Sequence, residues 1–435
     1  MKKRAAFHTL GCKVNSYETE VMKSQLKEHG YEIVSFSEMA DVYVINTCTV
    51  TNIADQKSRQ MLHKARRRNP QAVIAAVGCY AQASKEDLIR DHTADLIIGN
   101  NQKNRLYELL EEFGESRKMQ EAVCDLKREK EYEPMFLTST EDRTRAFLKI
   151  QDGCNQFCSY CLIPYARGRA RSRDMNDVIA EIHTLAEHGF QEVVLNGIHL
   201  SSYGTDQNPE KRPLLKELIL EAAKVEGIRR IRLGSLEPNI ITEDFIRSLS
   251  DCEKFCPHFH LSLQSGCDAT LKRMNRHYTA SEYYSKCKLI RTYFEHPAIT
   301  TDIIAGFPQE TEEEFEETCA FVEKAGFAEM HVFKYSRRKG TRADTMEGQI
   351  PDTVKTARSH RLLEIASRKQ QEYLSWYLGR QVEILAEDEV EYQGKRFSTG
   401  HTREYVKCLL GPCESNTIQK ATAVEVTGQR QLLCR

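Results

Sequence analysis

"KIQDGCNQFCSYCLIPYARGRARSR", residues 149–173, decides how the chain is read. It places Cys154, Cys158 and Cys161 within eight residues, directly behind a strand-like run, and follows them with Arg167, Arg169, Arg171 and Arg173 at alternate positions. Iron in a sulfide cluster needs soft sulfur donors that converge in a short loop, and a cuboidal cluster takes four thiolates, one per iron. The nearest fourth cysteine is far away in sequence, so one iron would stay open to a small molecule. A zinc knuckle is the bland alternative, but zinc sites complete four ligands and usually keep a second pair nearby. His183 and His188 fall in a predicted helix and read as surface residues.

The chain has 435 residues, 40% of them hydrophobic and 29% charged, an ordinary globular balance that suggests about three domains. The N-terminal "MKKRAAFHTLGCKVNS" is basic without the apolar run of a signal peptide, and no apolar segment is long enough to cross a bilayer. The expectation is a cytoplasmic protein with no membrane partner. Net charge is −1, so no global basic field advertises nucleic acid, although basic runs stand at 63–70, 166–173 and 336–342. Fifteen cysteines in such a protein argue for metal or catalytic use rather than structural disulfides.

Outward from the opening stretch, short Val/Ile-rich runs alternate with helical spacing. Residues 1–113 read as a parallel α/β domain with strands in "RAAFHTLG", "DVYVINT", "AVIAAVG" and "ADLIIGN". Residues 114–145 are a charged connector with room for a short strand. From 146 to 370, six strand candidates, "AFLKIQDG", "EVVLNGI", "RIRLGSL", "FHLSLQS", "ITTDIIAGF" and "EMHVFKYS", alternate with helices as in a partial (β/α) barrel, whose active site would lie at the C-terminal strand ends. A long helix is predicted over 352–378, and 371–435 reads as a small β-barrel.

Three more cysteines, Cys12, Cys48 and Cys79, each follow a predicted parallel strand, 36 and 31 residues apart. Residues at the C-terminal ends of neighbouring parallel strands converge on one edge, where such sheets bind ligands. Together they could hold a second cluster, again with one iron free. Taken singly, each is a small residue at a tight turn. The other cysteines, Cys252 and Cys256 among them, lack a third partner and read as structural.

CxxxCxxC with an aromatic residue, Tyr160, before the last cysteine resembles the signature of radical S-adenosylmethionine (SAM) enzymes. The resemblance implies a 4Fe-4S cluster on Cys154, Cys158 and Cys161 whose open iron chelates SAM. It further implies SAM contacts from the strand ends: Asn196 and Gly197 in "LNGIH", Glu237 in "LGSLEP", Gln264 and Ser265 in "LSLQSG", and Asp302 in "TTDIIAGFP". "LNGIH" departs from the triple-glycine form of many relatives.

Over its whole length the chain is similar to the radical-SAM methylthiotransferases, with a three-cysteine domain, a barrel and a C-terminal domain resembling TRAM, a small RNA-binding β-barrel. "TLGCKVN", "IPYARGRARSR" and "NGIHLSSYG" most resemble the branch acting on N6-threonylcarbamoyladenosine in tRNA; other branches act on isopentenyladenosine in tRNA or on an aspartate of a ribosomal protein. The resemblance implies reductive cleavage of SAM at one cluster and hydrogen abstraction from C2 of the adenine beside the anticodon. Sulfur held at a second 4Fe-4S cluster on Cys12, Cys48 and Cys79 is methylated by a second SAM and joins C2. An electron donor such as flavodoxin or ferredoxin and a sulfur donor are then required. The tRNA anticodon loop would be met by Arg380, Lys395, Arg396, Arg403 and Lys407 of the C-terminal barrel, or by Arg167, Arg169, Arg171 and Arg173; for the latter run, SAM carboxylate binding or a solvated strand are equal readings. An iron–sulfur carrier is the alternative from another class, and it needs neither open sites nor a barrel.

Overall fold

The computed structural model of the chain describes residues 2–137 and 144–435. The first six strands, β1 (Arg4–Thr9), β2 (Glu32–Val34), β3 (Val42–Thr47), β4 (Val73–Gly78), β5 (Leu96–Ile98) and β6 (Gln120–Ala122), form one parallel sheet in the order β2-β1-β3-β4-β5-β6. β3 is buried at every residue, as a central parallel strand covered on both faces must be. Its alternate residues feed two apolar cores: Val42 and Val44 on one side, Tyr43 and Ile45 on the other. The charged connector supplies the edge strand β6. Between β1 and β3 the winding reverses, and the crevice at such a reversal, beyond the carboxyl ends of the strands, is where open α/β sheets bind ligands.

The central region is an arc of parallel strands: β7 (Arg145–Asp152), β9 (Glu192–Gly197), β10 (Arg230–Leu233), β11 (Ser235–Leu236), β12 (His258–Leu261), β13 (Ala298–Ala305) and β14 (Glu329–Lys334), with the short antiparallel β8 (Arg171–Ser172) beside β7. The third expected strand is broken at Gly234. Its first half pairs with β9 and its second with β12, so two four-stranded sheets stand where one was expected. Helices close the outer face. The helix Glu312–Ala325 starts at a capping box of Thr311 and Glu314 and stops at the left-handed Gly326.

Alternation along the arc sorts the residues. Ala146, Leu148 and Ile150 of β7 pack outward with Val178, Ile182 and Leu185 of the helix Met175–Glu187. The inner face is therefore Arg145, Phe147 and Lys149, continued by Glu192 and Asn196, Arg230 and Arg232, His258 and His260, and Thr300 and Asp302 of the following strands. A closed (β/α)8 barrel is filled by branched apolar side chains. This concave surface is polar and charged, the construction of a binding surface.

The helix Asp352–Ser375 leads into a closed barrel of β15 (Gln381–Tyr392), β16 (Lys395–Thr402), β17 (Lys407–Leu410), β18 (Ile418–Val426) and β19 (Leu432–Cys434), in the order β15-β16-β17-β19-β18. It docks on the start of the arc. Arg230 NH2 donates to the Glu383 carbonyl at 3.0 Å, Arg232 NH1 to the Arg403 carbonyl at 2.7 Å, and Arg145 lies 3.0 Å from Glu387. No helix among the described residues is long and apolar enough to cross a membrane.

Candidate active site

The N-terminal cysteines stand at the ends of three adjacent strands. Cys48 directly follows β3 and Cys79 directly follows β4, while Cys12 sits three residues beyond β1 as the N-cap of the helix Lys13–Glu28. The turn before Cys12 needs Gly11, which has φ +102°; a Cβ there would lie 3.1 Å from Cys48 Sγ. Burial pushes the Cys48 thiol up to about 11, and the neighbouring Cys79 and Cys12 add to the effect. The three thiols thus stand close enough to act on one another at the carboxyl ends of the adjacent strands β1, β3 and β4.

The second trio occupies the loop beyond β7. Gly153, at φ +70°, turns the chain so tightly that a Cβ would overlap the Arg169 carbonyl. Backbone N–H groups of Gln156 and Ile163 donate to Cys154 Sγ and Cys161 Sγ, each at 3.4 Å. Burial raises both thiols to about 12, so ligation of a metal would release their protons. Arg276 NH1 donates to Cys158 Sγ at 3.1 Å, while its NH2 holds Glu237 at 2.5 and 2.7 Å. Asn275 Nδ2 donates to the carbonyls of Gln156 and Phe157, at 3.2 and 3.1 Å, so the segment around 275 cups the loop from the far side of the arc.

The two loops face each other. The helices Cys79–Ala83 and Ile163–Arg167 pack together, and Asn100 Nδ2 donates both to the Ala166 carbonyl at 2.7 Å and to Cys79 Sγ at 3.6 Å. Arg167 is fully buried between them. It donates to Asn15 Oδ1 at 2.6 Å, to both oxygens of Glu18 and of Asp152 at 3.0–3.1 Å, and from Nε to Cys79 Sγ at 3.3 Å. Lys149 and Lys103 complete the network. Burial alone would raise Glu18, but Arg167, Lys103 and Lys149 together hold its carboxyl well below the usual range.

All fifteen cysteines are free thiols, and each trio carries N–H donors aimed at sulfur, the outer-shell support that thiolate-held iron uses. The donor sets fit iron–sulfur clusters.

Comparison with known proteins settles the class. Residues 4–99 match an uncharacterized protein family, UPF0004, and residues 148–322 match the radical SAM superfamily. The chain is 41% identical to the threonylcarbamoyladenosine tRNA methylthiotransferase MtaB of Bacillus subtilis (strain 168), over 97% of this chain and 93% of that one. The chain belongs to the radical-SAM tRNA methylthiotransferases. It is a transferase acting with SAM and iron–sulfur clusters on tRNA. The like-named protein of Aquifex aeolicus is 42% identical over 89% and 93% of the two chains, and a tRNA-2-methylthio-N(6)-dimethylallyladenosine synthase of Acetivibrio thermocellus 37% over 92% and 84%. Among solved structures, the radical SAM methyltransferase TsrM of Kitasatospora setae matches the fold with TM-score 0.56 at 14% identity, covering 76% of this chain and 73% of that one.

Within this family frame the strand-end residues separate. Tyr160 packs against Phe307 beside Met274 and Tyr335, walling the cysteine loop. Asn196 and Gly197 end β9, where Asn196 Oδ1 would lie 2.9 Å from a Cβ on Gly234 and Gly197 admits Gln151. Asp302 faces inward and meets His260 at 3.2 Å, with His331 in the same group. Gln264 holds a left-handed turn at φ +73°. Ser265 departs from expectation. It is fully buried and turned outward, accepting from the Cys267 N–H and bonding Thr318, so SAM on the inner face is out of its reach.

The arginine run is corrected too. Arg167, Arg171 and Arg173 are buried; Arg173 pairs with Glu181, and Arg171 donates to the Arg169 carbonyl. None presents a charge to a phosphate. Arg169 alone is exposed, its guanidinium 4.5 Å from the Phe157 ring centre. Arg403 also turns inward, donating to the Phe255 carbonyl at 2.7 Å. Arg380, Lys395, Arg396 and Lys407 are exposed. Arg276, Asn275 and the histidines on the inner face were missed by sequence reasoning. "RMNRHY" ends a helix with no periodic or cysteine signal to single it out.

Proposed function

We propose that this chain inserts sulfur and a methyl group at C2 of N6-threonylcarbamoyladenosine beside the anticodon of tRNA. The observation that carries the reading is the pair of cysteine trios held face to face across Arg167, in a chain similar along its length to a relative named for that substrate.

Cys154, Cys158 and Cys161 hold one 4Fe-4S cluster, and Cys12, Cys48 and Cys79 the other. An aromatic C–H is beyond ordinary acid–base groups; the bound clusters and SAM would supply the electron, the carbon-centred radical and the activated sulfur. The chain's own residues hold and screen. Tyr160 and its aromatic neighbours keep water from the loop. Arg276 fixes Glu237, which together with Asn196, Gly197, Gln264 and Asp302 offers polar groups to SAM at the inner strand ends. Arg167 fixes the separation of the two loops. The target base lies in a single-stranded loop and can be splayed into the cavity.

The C-terminal barrel is TRAM-like and meets RNA through Arg380, Lys395 and Arg396. The domains divide as 1–113 together with the edge strand β6 of the connector, a barrel of 146–370, and the RNA-binding barrel from 371, joined to the arc by the helix Asp352–Ser375 that spans the last boundary. A flavodoxin- or ferredoxin-type reductant and a sulfur donor come from outside, in the cytoplasm.

The test is anaerobic incubation of reconstituted protein with SAM, a reductant and tRNA carrying either threonylcarbamoyladenosine or isopentenyladenosine. Methylthiolation of the first with release of 5′-deoxyadenosine is expected. Methylthiolation of only the second, or of a ribosomal-protein peptide with tRNA untouched, overturns the reading.

A further inference from the structure

The inner face of the arc gathers three cations around one ring. Tyr405, in the turn between β16 and β17, reaches from the C-terminal barrel into the start of the arc, where Arg232, Arg145 and Lys13 stand 4.7, 4.9 and 5.3 Å from its ring centre. His401 stacks on the same ring at 4.6 Å. Tyr405 holds φ +70°, a region costly for a bulky side chain, and such strain persists where the surroundings over-determine it, often at ligand clamps.

The three cations differ in their partners. Arg232 Nε donates to Glu192 at 2.7 Å, and Arg145 lies 3.0 Å from Glu387. Lys13, half-buried, has no carboxylate within 4.0 Å among the described residues. Its ammonium is flanked by the rings of Tyr405 and Phe147, the latter at 5.8 Å. Glu192, the carboxylate that acts on Lys13 at longer range, is already bonded to Arg232, and a cation taken from water without a direct counter-ion is matched to an anion brought by something else. Lys13 also follows Cys12 directly, so its side chain starts beside the first cysteine trio and extends over the inner face.

We propose that Lys13, between Tyr405 and Phe147, is the subsite for a carboxylate carried by the substrate base. Resting on the function proposed above, that carboxylate is the one on the threonylcarbamoyl group, which an isopentenyl group lacks. Lys13 is then a specificity-determining residue: it binds the substituent and holds the ring with C2 toward the Cys12 side of the cavity.

The test compares anticodon stem–loop RNAs carrying threonylcarbamoyladenosine or the same nucleoside with its carboxylate converted to a carboxamide. Equilibrium binding without reductant is read for the wild-type protein, for Lys13→Met and for Lys13→Arg. Wild type is expected to prefer the carboxylate about tenfold or more, as a charge-assisted contact allows. Lys13→Met abolishes the preference by weakening only the carboxylate RNA, and Lys13→Arg keeps it. Equal binding of both RNAs by wild type, or a preference that survives Lys13→Met, overturns the subsite. If the wild-type enzyme fails to methylthiolate threonylcarbamoyladenosine at all, the proposed function falls instead, and the two failures are distinct.

Discussion

Arg167 Nε donates to Cys79 Sγ at 3.3 Å across 88 residues of sequence, while the other two nitrogens of the same guanidinium hold Glu18 and Asp152. Asp152 ends the strand that delivers Cys154, and Glu18 lies on the helix that begins after Cys12. One buried side chain therefore ties both cysteine loops to a common frame. Arg167→Met should leave two buried carboxylates short of a partner and cost about 3–5 kcal/mol. Denaturant unfolding of the apo-protein measures it. A loss under about 1 kcal/mol, with iron uptake unchanged, would show that the network does not join the halves.

Replacing Cys12, Cys48 and Cys79 together by Ala separates the two trios. The iron bound per chain should fall by about half, and SAM should still be cleaved to 5′-deoxyadenosine while sulfur insertion stops. Sulfur insertion retained in the triple variant contradicts the role given to that trio.

Arg276 touches both Cys158 and Glu237. Arg276→Gln keeps the size and loses the charge, so SAM binding and cleavage should fall about tenfold or more. Iron at the N-terminal trio, measured in a Cys154→Ala, Cys158→Ala, Cys161→Ala background, should not change. A tenfold loss there as well would make the effect one of folding.

His258, packed 5.1 Å from the Tyr405 ring, is held well below its ordinary value of 6.5, by burial first and by Arg232 and Lys13 after it. A depressed histidine binds fewer protons folded than unfolded, so its stabilisation is present above about pH 6.5 and declines as pH falls below that. The decline is at most about 1.4 kcal/mol per pH unit for one proton. Thermal unfolding of the apo-protein between pH 7.5 and 5.5 should follow this sign, and His258→Phe should flatten it. An unchanged slope in the variant would place the proton elsewhere.

Exposed Lys395 and Arg396 stand on the hairpin of β15 and β16. Changing both to Gln should weaken tRNA binding and reduce the slope of log affinity against log salt by roughly 1–2. Arg173→Gln, in a buried pair with Glu181, should cost stability and leave that slope alone.

Much of this was legible in the sequence because it is local. Cys48, Cys79 and Cys154 follow their strands within two residues and Cys12 within three, and apolar patterning marks the sheets that carry them. The arginines misread for the opposite reason. Alternation in "RGRARSR" is what a strand with one wetted face shows, and only the fold reveals that Arg167 and Arg173 are covered by the helix beginning at Lys13 while Arg169 stays exposed. Arg276 was out of reach because its partner Cys158 is 118 residues away, in a loop without period. Tyr405 reads as one aromatic in a turn; its meaning comes from cations on three separate elements.

The account's central claim is tested most directly by mass analysis of tRNA nucleosides from cells lacking this gene. Methylthiolated threonylcarbamoyladenosine should vanish while its unmethylthiolated precursor accumulates, and the wild-type gene, but neither a Cys48→Ala nor a Cys158→Ala copy, should restore it. Unchanged levels of the methylthiolated nucleoside would contradict it.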